Sequence, residues 1–242
     1  MQQRIAIAIS LIIFPAAVIA EPCTVTTKRM KVEEGARVAV RNEECPNSDR
    51  RVIKVLLERD SEPPRILVRR TQKLSEAPTG RGAFIDLEDD GVPEVELTGY
   101  CSAPNCEYEI FKFSEDRKSM FHYYSGGYES VTRTPTYLVT SSYGNYVSWE
   151  YLAYDPFPPK YPIENSKFRY SIYISSAEGS GGLTCRITEP SSRGKLQLVV
   201  PPPEELLKFC RHYGDDVQIL NLGKGQSSRS RKHAPSQETP PE

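Results

Sequence analysis

Short runs of alternating or β-branched residues, each closed by a turn signal, recur along most of this chain. Before Tyr100 they are Thr24–Thr27, Ala36–Arg41, Arg51–Glu58 and Arg65–Thr71, separated by Glu34-Gly35, Pro46-Asn47-Ser48 and Ser61-Glu62-Pro63-Pro64. Successive side chains in a strand point to opposite faces, so such runs read as half-buried strands. Val52, Val55 and Leu56 also have helical spacing, but the β-branched residues around them favour a strand. Further on, Cys106–Phe113 is a strand with Tyr108, Ile110 and Phe113 on its buried side, and Ser119–Tyr124 is another, broken by Gly126-Gly127. Tyr137–Ser142 and Tyr146–Tyr154 follow, joined by a hairpin turn at Ser142-Tyr143-Gly144-Asn145, and Lys167–Ser175 alternates Phe168, Tyr170, Ile172 and Ile174. So many period-2 segments at close spacing predict a mainly β fold, an antiparallel propeller-like or sandwich-like sheet assembly. One short C-terminal helix is expected. Pro201–Pro203 and Glu204-Glu205 open it, Arg211-His212 close it, and Gly214 stops it.

The two ends stand apart from this pattern. Arg4 followed by the apolar run Ile5–Val18 and by Val18-Ile19-Ala20 reads as a signal peptide over residues 1–20. No other run approaches a membrane-spanning length. Residues 225–242 are Ser, Arg, Lys, Pro and Gln without an apolar anchor and read as a disordered tail. Between them, 21–224 is long enough for one β-rich domain with its own core, with a sub-boundary at 179–182 where Gly179-Ser180-Gly181-Gly182 interrupts the strands. Export to a periplasmic or secreted location makes sense of the six cysteines, an even number that reads as disulfides. Fifteen pairings are possible. Pairing neighbours gives Cys23–Cys45, Cys101–Cys106 and Cys185–Cys210, each stapling a local segment. The formal net charge of −1 argues against a nucleic-acid-binding surface.

The densest chemistry lies in Phe84-Ile85-Asp86-Leu87-Glu88-Asp89-Asp90-Gly91-Val92-Pro93-Glu94-Val95-Glu96. Asp86, Glu88, Asp90 and Glu94 stand at positions 1, 3, 5 and 9 of a loop with Gly91 at position 6. Hard cations take six to eight oxygens, and alternate acids on one tight turn supply them. Calcium is the expected ion, held by those four side chains and the Val92 carbonyl. Leu97 stands where an EF-hand needs its twelfth-position acid, so the loop is not of that kind.

The loop resembles the calcium loop of integrin-type FG-GAP repeats. With the strand Cys106–Phe113 and the stretch Phe121-His122-Tyr123-Tyr124-Ser125-Gly126-Gly127-Tyr128, it is similar to a family of bacterial periplasmic immunity proteins. The resemblance covers Gly82–Tyr128, roughly a fifth of the chain. It implies a propeller-like fold, a structural calcium, and the binding and inhibition of a lysozyme-like, peptidoglycan-degrading effector. No inhibitory residue is carried over by it.

All fourteen tyrosines lie between Tyr100 and Tyr213. Tyrosine brings rigid, amphipathic contact area and is enriched at protein interfaces. Tyr123, Tyr124, Tyr128, Tyr143 and Tyr146 are therefore the expected binding face, and cell-wall glycan is an alternative ligand for such rings. Catalysis has little support. The histidines are His122, His212 and His233, and neither a Gly-x-Ser-x-Gly elbow nor a His-Glu-x-x-His helix occurs. The expectation is an exported, calcium-binding inhibitor of another protein, not an enzyme. An envelope carbohydrate-binding module and an unusual hydrolase are the alternatives.

Overall fold

The computed structural model describes residues 22–102, 105–145, 148–158, 160–176, 182–213 and 217–220. The leader 1–20, Tyr146, most of the 179–182 sub-boundary, Gly214 and the tail 225–242 lie outside the described residues.

The chain winds through three antiparallel meanders in succession. The first sheet is β1 (Thr24–Glu33), β2 (Ala36–Cys45), β3 (Arg50–Arg59) and β4 (Glu62–Lys73), paired in that order. The second holds β5 (Gly82–Ile85), β6 (Glu94–Ser102), β7 (Asn105–Phe113) and β8 (Met120–Tyr128). The third begins with β9 (Ser130–Arg133), β10 (Leu138–Asn145) and β11 (Ser148–Tyr154). The chain then returns to the edge of the second sheet, where the short β12 (Ile163–Glu164) lies parallel to β8. It completes the third sheet with β13 (Tyr170–Ser176), β14 (Leu183–Pro190) and β15 (Leu196–Leu198), and β16 (Gln218–Ile219) adds in parallel to β14. Helix α1 (Glu204–Arg211) covers the far side of the third sheet.

Three cores hold this stack together. Val38, Val40, Ile53 and Val55 of the first sheet meet Val95, Leu97 and Phe111 of the second. Ile110, Tyr124 and Tyr128 of the second meet Leu138 and Tyr154 of the third. Val139, Ile172, Ile174 and Ile187 meet Leu206, Leu207 and Phe209 of the helix. Each fully buried aliphatic or aromatic side chain contributes about 1.5–3 kcal/mol. The central sheet is thus covered on both faces. Its adjacent Ile110 and Phe111 enter opposite cores, with a register shift between them. Among the described residues the three sheets do not close into a ring.

The disulfides are Cys23–Cys45, Cys101–Cys106 and Cys185–Cys210. The first closes the β1–β2 hairpin, the second bridges directly paired residues of β6 and β7, and the third ties β14 to α1. They suit an oxidising compartment. No described helix is long and apolar enough to cross a membrane.

Two sequence expectations need correction. Gly126-Gly127 does not break a strand, because β8 continues through both and pairs them with Tyr108 and Glu107. A Cβ at Gly126 would stand 2.6 Å from Asn165 Oδ1 and from the Tyr124 hydroxyl, so the glycine marks a close approach within the strand. Ser142-Tyr143-Gly144-Asn145 is likewise not the hairpin turn. β10 runs on to Asn145, which pairs with Ser148.

Candidate functional site at the acidic loop and its aromatic rim

Strands β5 and β6 hold the acidic loop between them, with Ile85 paired to Glu94 and Phe84 to Val95. Inside it, Asp86 folds the chain back on itself. Its carboxylate accepts from the backbone N–H of Asp90 at 3.3 Å and of Gly91 at 3.2 Å. Gly91 lies at φ +75°, the left-handed bend that residues with a Cβ avoid. Asp90 in turn accepts from the N–H of Val92 at 2.8 Å.

The other two acids look elsewhere. Lys112 rises from β7 with its ammonium 2.5 Å from Glu88 Oε1, 3.7 Å from Glu94 Oε1, and 4.8 Å from the centre of the Tyr123 ring. Glu94 is buried and also accepts from the Leu87 N–H at 2.9 Å. Burial pushes its carboxyl above the usual carboxylate range, against the opposing pull of the Leu87 hydrogen bond and Lys112. The loop therefore has the bend of a cation loop, but its donors are divided. Asp86 and Asp90 serve backbone N–H groups, while Glu88 and Glu94 share an ammonium. Among the described residues, the only trio of potential ligand atoms within 4.8 Å of one another is Cys23, Glu43 and Cys45, whose sulfurs form a disulfide. A divalent ion would have to take Glu88 and Glu94 from Lys112.

Three of the five tyrosines expected on the binding face are core instead. Tyr124 is 0 % exposed, Tyr128 2 % and Tyr123 3 %. Covering the second sheet on both sides turns these rings into core. Their hydroxyls find partners there: Tyr124 and Tyr154 both donate to Asn165 Oδ1, the latter at 2.9 Å, and Tyr128 donates to Glu96 at 2.6 Å. Burial raises all three phenols, Tyr123, Tyr124 and Tyr128, far above their ordinary range. Tyr143 remains half-buried, edge-on to Trp149, which contacts Tyr213 beyond α1.

No family model, curated protein or solved structure matches the chain.

The exposed rings are instead Tyr100 on β6, 56 % exposed, and two from the segment between β11 and β12. Phe157 is 70 % exposed, and the Arg133 guanidinium lies 5.6 Å from its ring centre. Tyr161, 36 % exposed, packs on Phe121 and Tyr123 at 5.2 and 5.7 Å. Beside them, a cleft of about 370 Å³ opens between Leu87, Glu88 and Asp89 of the acidic loop and Arg133, Thr134 and Pro135. Arg133 Nη1 is buried and has no hydrogen-bond partner among the described residues. The sequence carried a signal for this rim. In Asp155-Pro156-Phe157-Pro158, prolines on both sides keep Phe157 out of a sheet ladder and so on display.

His122 is placed differently. It stacks on Phe111 at 4.9 Å, and its Nε2 lies 3.6 Å from Glu109, which Arg70 holds at 2.7 and 3.0 Å. Burial depresses the imidazole, only partly offset by Glu109. This network joins the first two sheets and lies apart from the acidic rim.

Proposed function

We propose that this chain is an exported binding protein that engages a protein partner through Phe157, Tyr161 and Arg133 beside the acidic loop. The supporting observation is the large apolar ring of Phe157, held in solvent by flanking prolines and backed by a guanidinium. Aromatic and arginine anchors carry most of the energy of protein interfaces, and polar rims set specificity. The acidic loop supplies such a rim. The partner proposed is a peptidoglycan-degrading effector, in line with the resemblance of Gly82–Tyr128, and binding would block its cleft. Calcium is proposed as a second occupant of the loop, competing with Lys112. The Asp86 and Gly91 geometry favours that reading.

The test is inhibition of a lysozyme-like hydrolase by wild type and by Phe157→Ala/Tyr161→Ala. Loss of two anchors is expected to weaken inhibition by about 100-fold or more, with the melting midpoint nearly unchanged. Undiminished inhibition by the double variant sinks the proposed interface. Retention of wild type on insoluble cell wall without any protein partner would instead favour the glycan-binding reading, which exposed rings also serve.

A further inference from the structure

We propose that the outer face of the first sheet docks on an anionic lipid surface. It rests on observations separate from the aromatic rim. Val38, Val40, Ile53, Val55 and Val68 turn inward to the second sheet, so the alternate positions of β2, β3 and β4 face away from the stack. Cations recur among those outward positions, with apolar residues such as Ala39, Val52 and Leu56 and the acids Glu43 and Glu58 between them. Arg41, Lys54 and Arg69 stand directly opposite one another across three strands. Lys31 stands opposite Arg37, whose partner on the other side is Glu58, already ion-paired to Arg29, and Arg50 stands opposite Lys73. Like charges directly opposite in a sheet are destabilising.

Internal pairing does not relieve this. Of these residues Lys54 pairs with Glu43 and Lys73 with Glu76. Among the described residues, Lys31, Arg37, Arg41, Arg50 and Arg69 have no carboxylate within 4 Å, although on the inner face Arg51 and Arg70 are paired with Glu44 and Glu109. Protection of sheet edges against aggregation accounts for lysines on edge strands. It does not account for Arg41 and Lys54, which lie on the central strands β2 and β3. Neighbouring strands are about 4.8 Å apart, so adjacent members of the Arg41, Lys54 and Arg69 row lie within a Debye length of each other at physiological salt, while the Lys31–Arg37 and Arg50–Lys73 pairs flank that row about 14 Å away along the strands. The central row is a local positive field on a chain whose formal net charge is −1.

The charge pattern selects the occupant. A second copy of this face would be repelled. The tail brings Arg229, Arg231 and Lys232 against Glu238 and Glu242, and so offers no excess of anions. The cations spread over two dimensions instead of forming one stripe, which fits a planar array of phosphates better than a single polymer. Apolar side chains stand among them. Ile66, 52 % exposed, shares a row with Arg29, and exposed Val25 shares one with Glu43. Basic side chains at headgroup level with a few apolar ones between them suit the bilayer interface.

The experiment is co-sedimentation of the chain from Glu21 onward, which contains every described residue, with phosphatidylglycerol–phosphatidylcholine vesicles and with pure phosphatidylcholine vesicles. Binding is expected on the anionic vesicles only, and to be lost at about 0.5 M salt. Each basic side chain near such a surface gives about a five-fold gain. Arg41→Gln/Arg69→Gln should therefore bind about 25-fold more weakly, and Arg41→Glu/Arg69→Glu, which adds repulsion, more weakly still. Neither pair is expected to lower the melting midpoint, since each relieves a like-charge row. Arg193→Glu/Lys195→Glu, the same charge change at the β14–β15 turn, should bind as wild type does. No sedimentation with anionic vesicles overturns the proposal, as does an equal loss in the turn variant. If soluble polyglutamate binds with the same variant dependence and the vesicles do not, the occupant is an acidic polypeptide and the lipid assignment falls.

Discussion

Replacing Tyr124 decides whether the tyrosine-rich centre of the chain is core or contact surface. Its ring is fully buried between the second and third sheets, edge-on to Tyr154 at 5.6 Å and tilted against Tyr128 at the same separation. Truncating a buried aromatic ring to alanine costs about 3–5 kcal/mol, part lost transfer energy and part cavity. A domain of this size shifts its midpoint by about 2–4 °C per kcal/mol, so Tyr124→Ala should melt about 6–20 °C lower. Tyr124→Phe keeps the ring and removes only the hydrogen bond to Asn165, which still accepts from Tyr154. It should cost about 1 kcal/mol. Thermal and urea unfolding of both variants, followed by circular dichroism, gives the two numbers. Tyr124→Ala melting within about 2 °C of wild type while losing partner binding would refute the burial argument and restore the ring to the surface.

Gly126→Ala should cost about 1–3 kcal/mol, because its Cβ would press on Asn165 and the Tyr124 hydroxyl; a neutral effect in urea unfolding would mean that Asn165 gives way. Replacing Cys185 and Cys210 together by serine opens a loop with a sequence separation of 25 and should cost about 3.5 kcal/mol on loop entropy, with the near-pair Cys101–Cys106 costing less. Burial raises the Glu94 carboxyl in the fold, so its contribution to stability is greatest below the usual carboxylate pKa and is lost as pH rises through the raised value. Glu94→Gln should therefore gain on wild type as pH rises above the usual carboxylate range, and a pH-independent difference in midpoint would contradict this. Lys112→Met leaves buried Glu94 without its counter-charge and should cost about 2 kcal/mol, partly restored by millimolar calcium; absence of a calcium-dependent midpoint shift in both proteins would remove the ion from the account of the loop.

The strands of the first sheet were legible because one of their faces is solvated, which leaves period-2 alternation in the sequence. Arg51–Glu58, ambiguous on spacing alone, is indeed within strand β3. Neighbour pairing of the cysteines was legible because each bridge joins consecutive cysteines over a short stretch of chain. The second sheet hides its nature for the opposite reason. With a core on each side, Ile110-Phe111 and Tyr123-Tyr124 are apolar or aromatic without alternation, and buried rings look like displayed ones. The bend at Gly91 follows from local residue types, whereas the Lys112 contact depends on β7 pairing beside β6. The cationic grid is invisible for the same reason: Arg41, Lys54 and Arg69 become neighbours only once the register is known.

The position of the second sheet in the middle of the stack fixes an order of assembly. The antiparallel body of each meander is made largely of strands adjacent in the chain, so it can form from local pairings as the polypeptide emerges, with β12 on β8 and β16 on β14 as the longer-range additions. The first sheet is complete at Lys73, yet its inner valines have no cover until Val95, Leu97 and Phe111 arrive. For that interval the chain carries a sticky surface of the kind that recruits chaperones or misassembles. Its cationic back would then keep nascent copies from stacking on one another by that side.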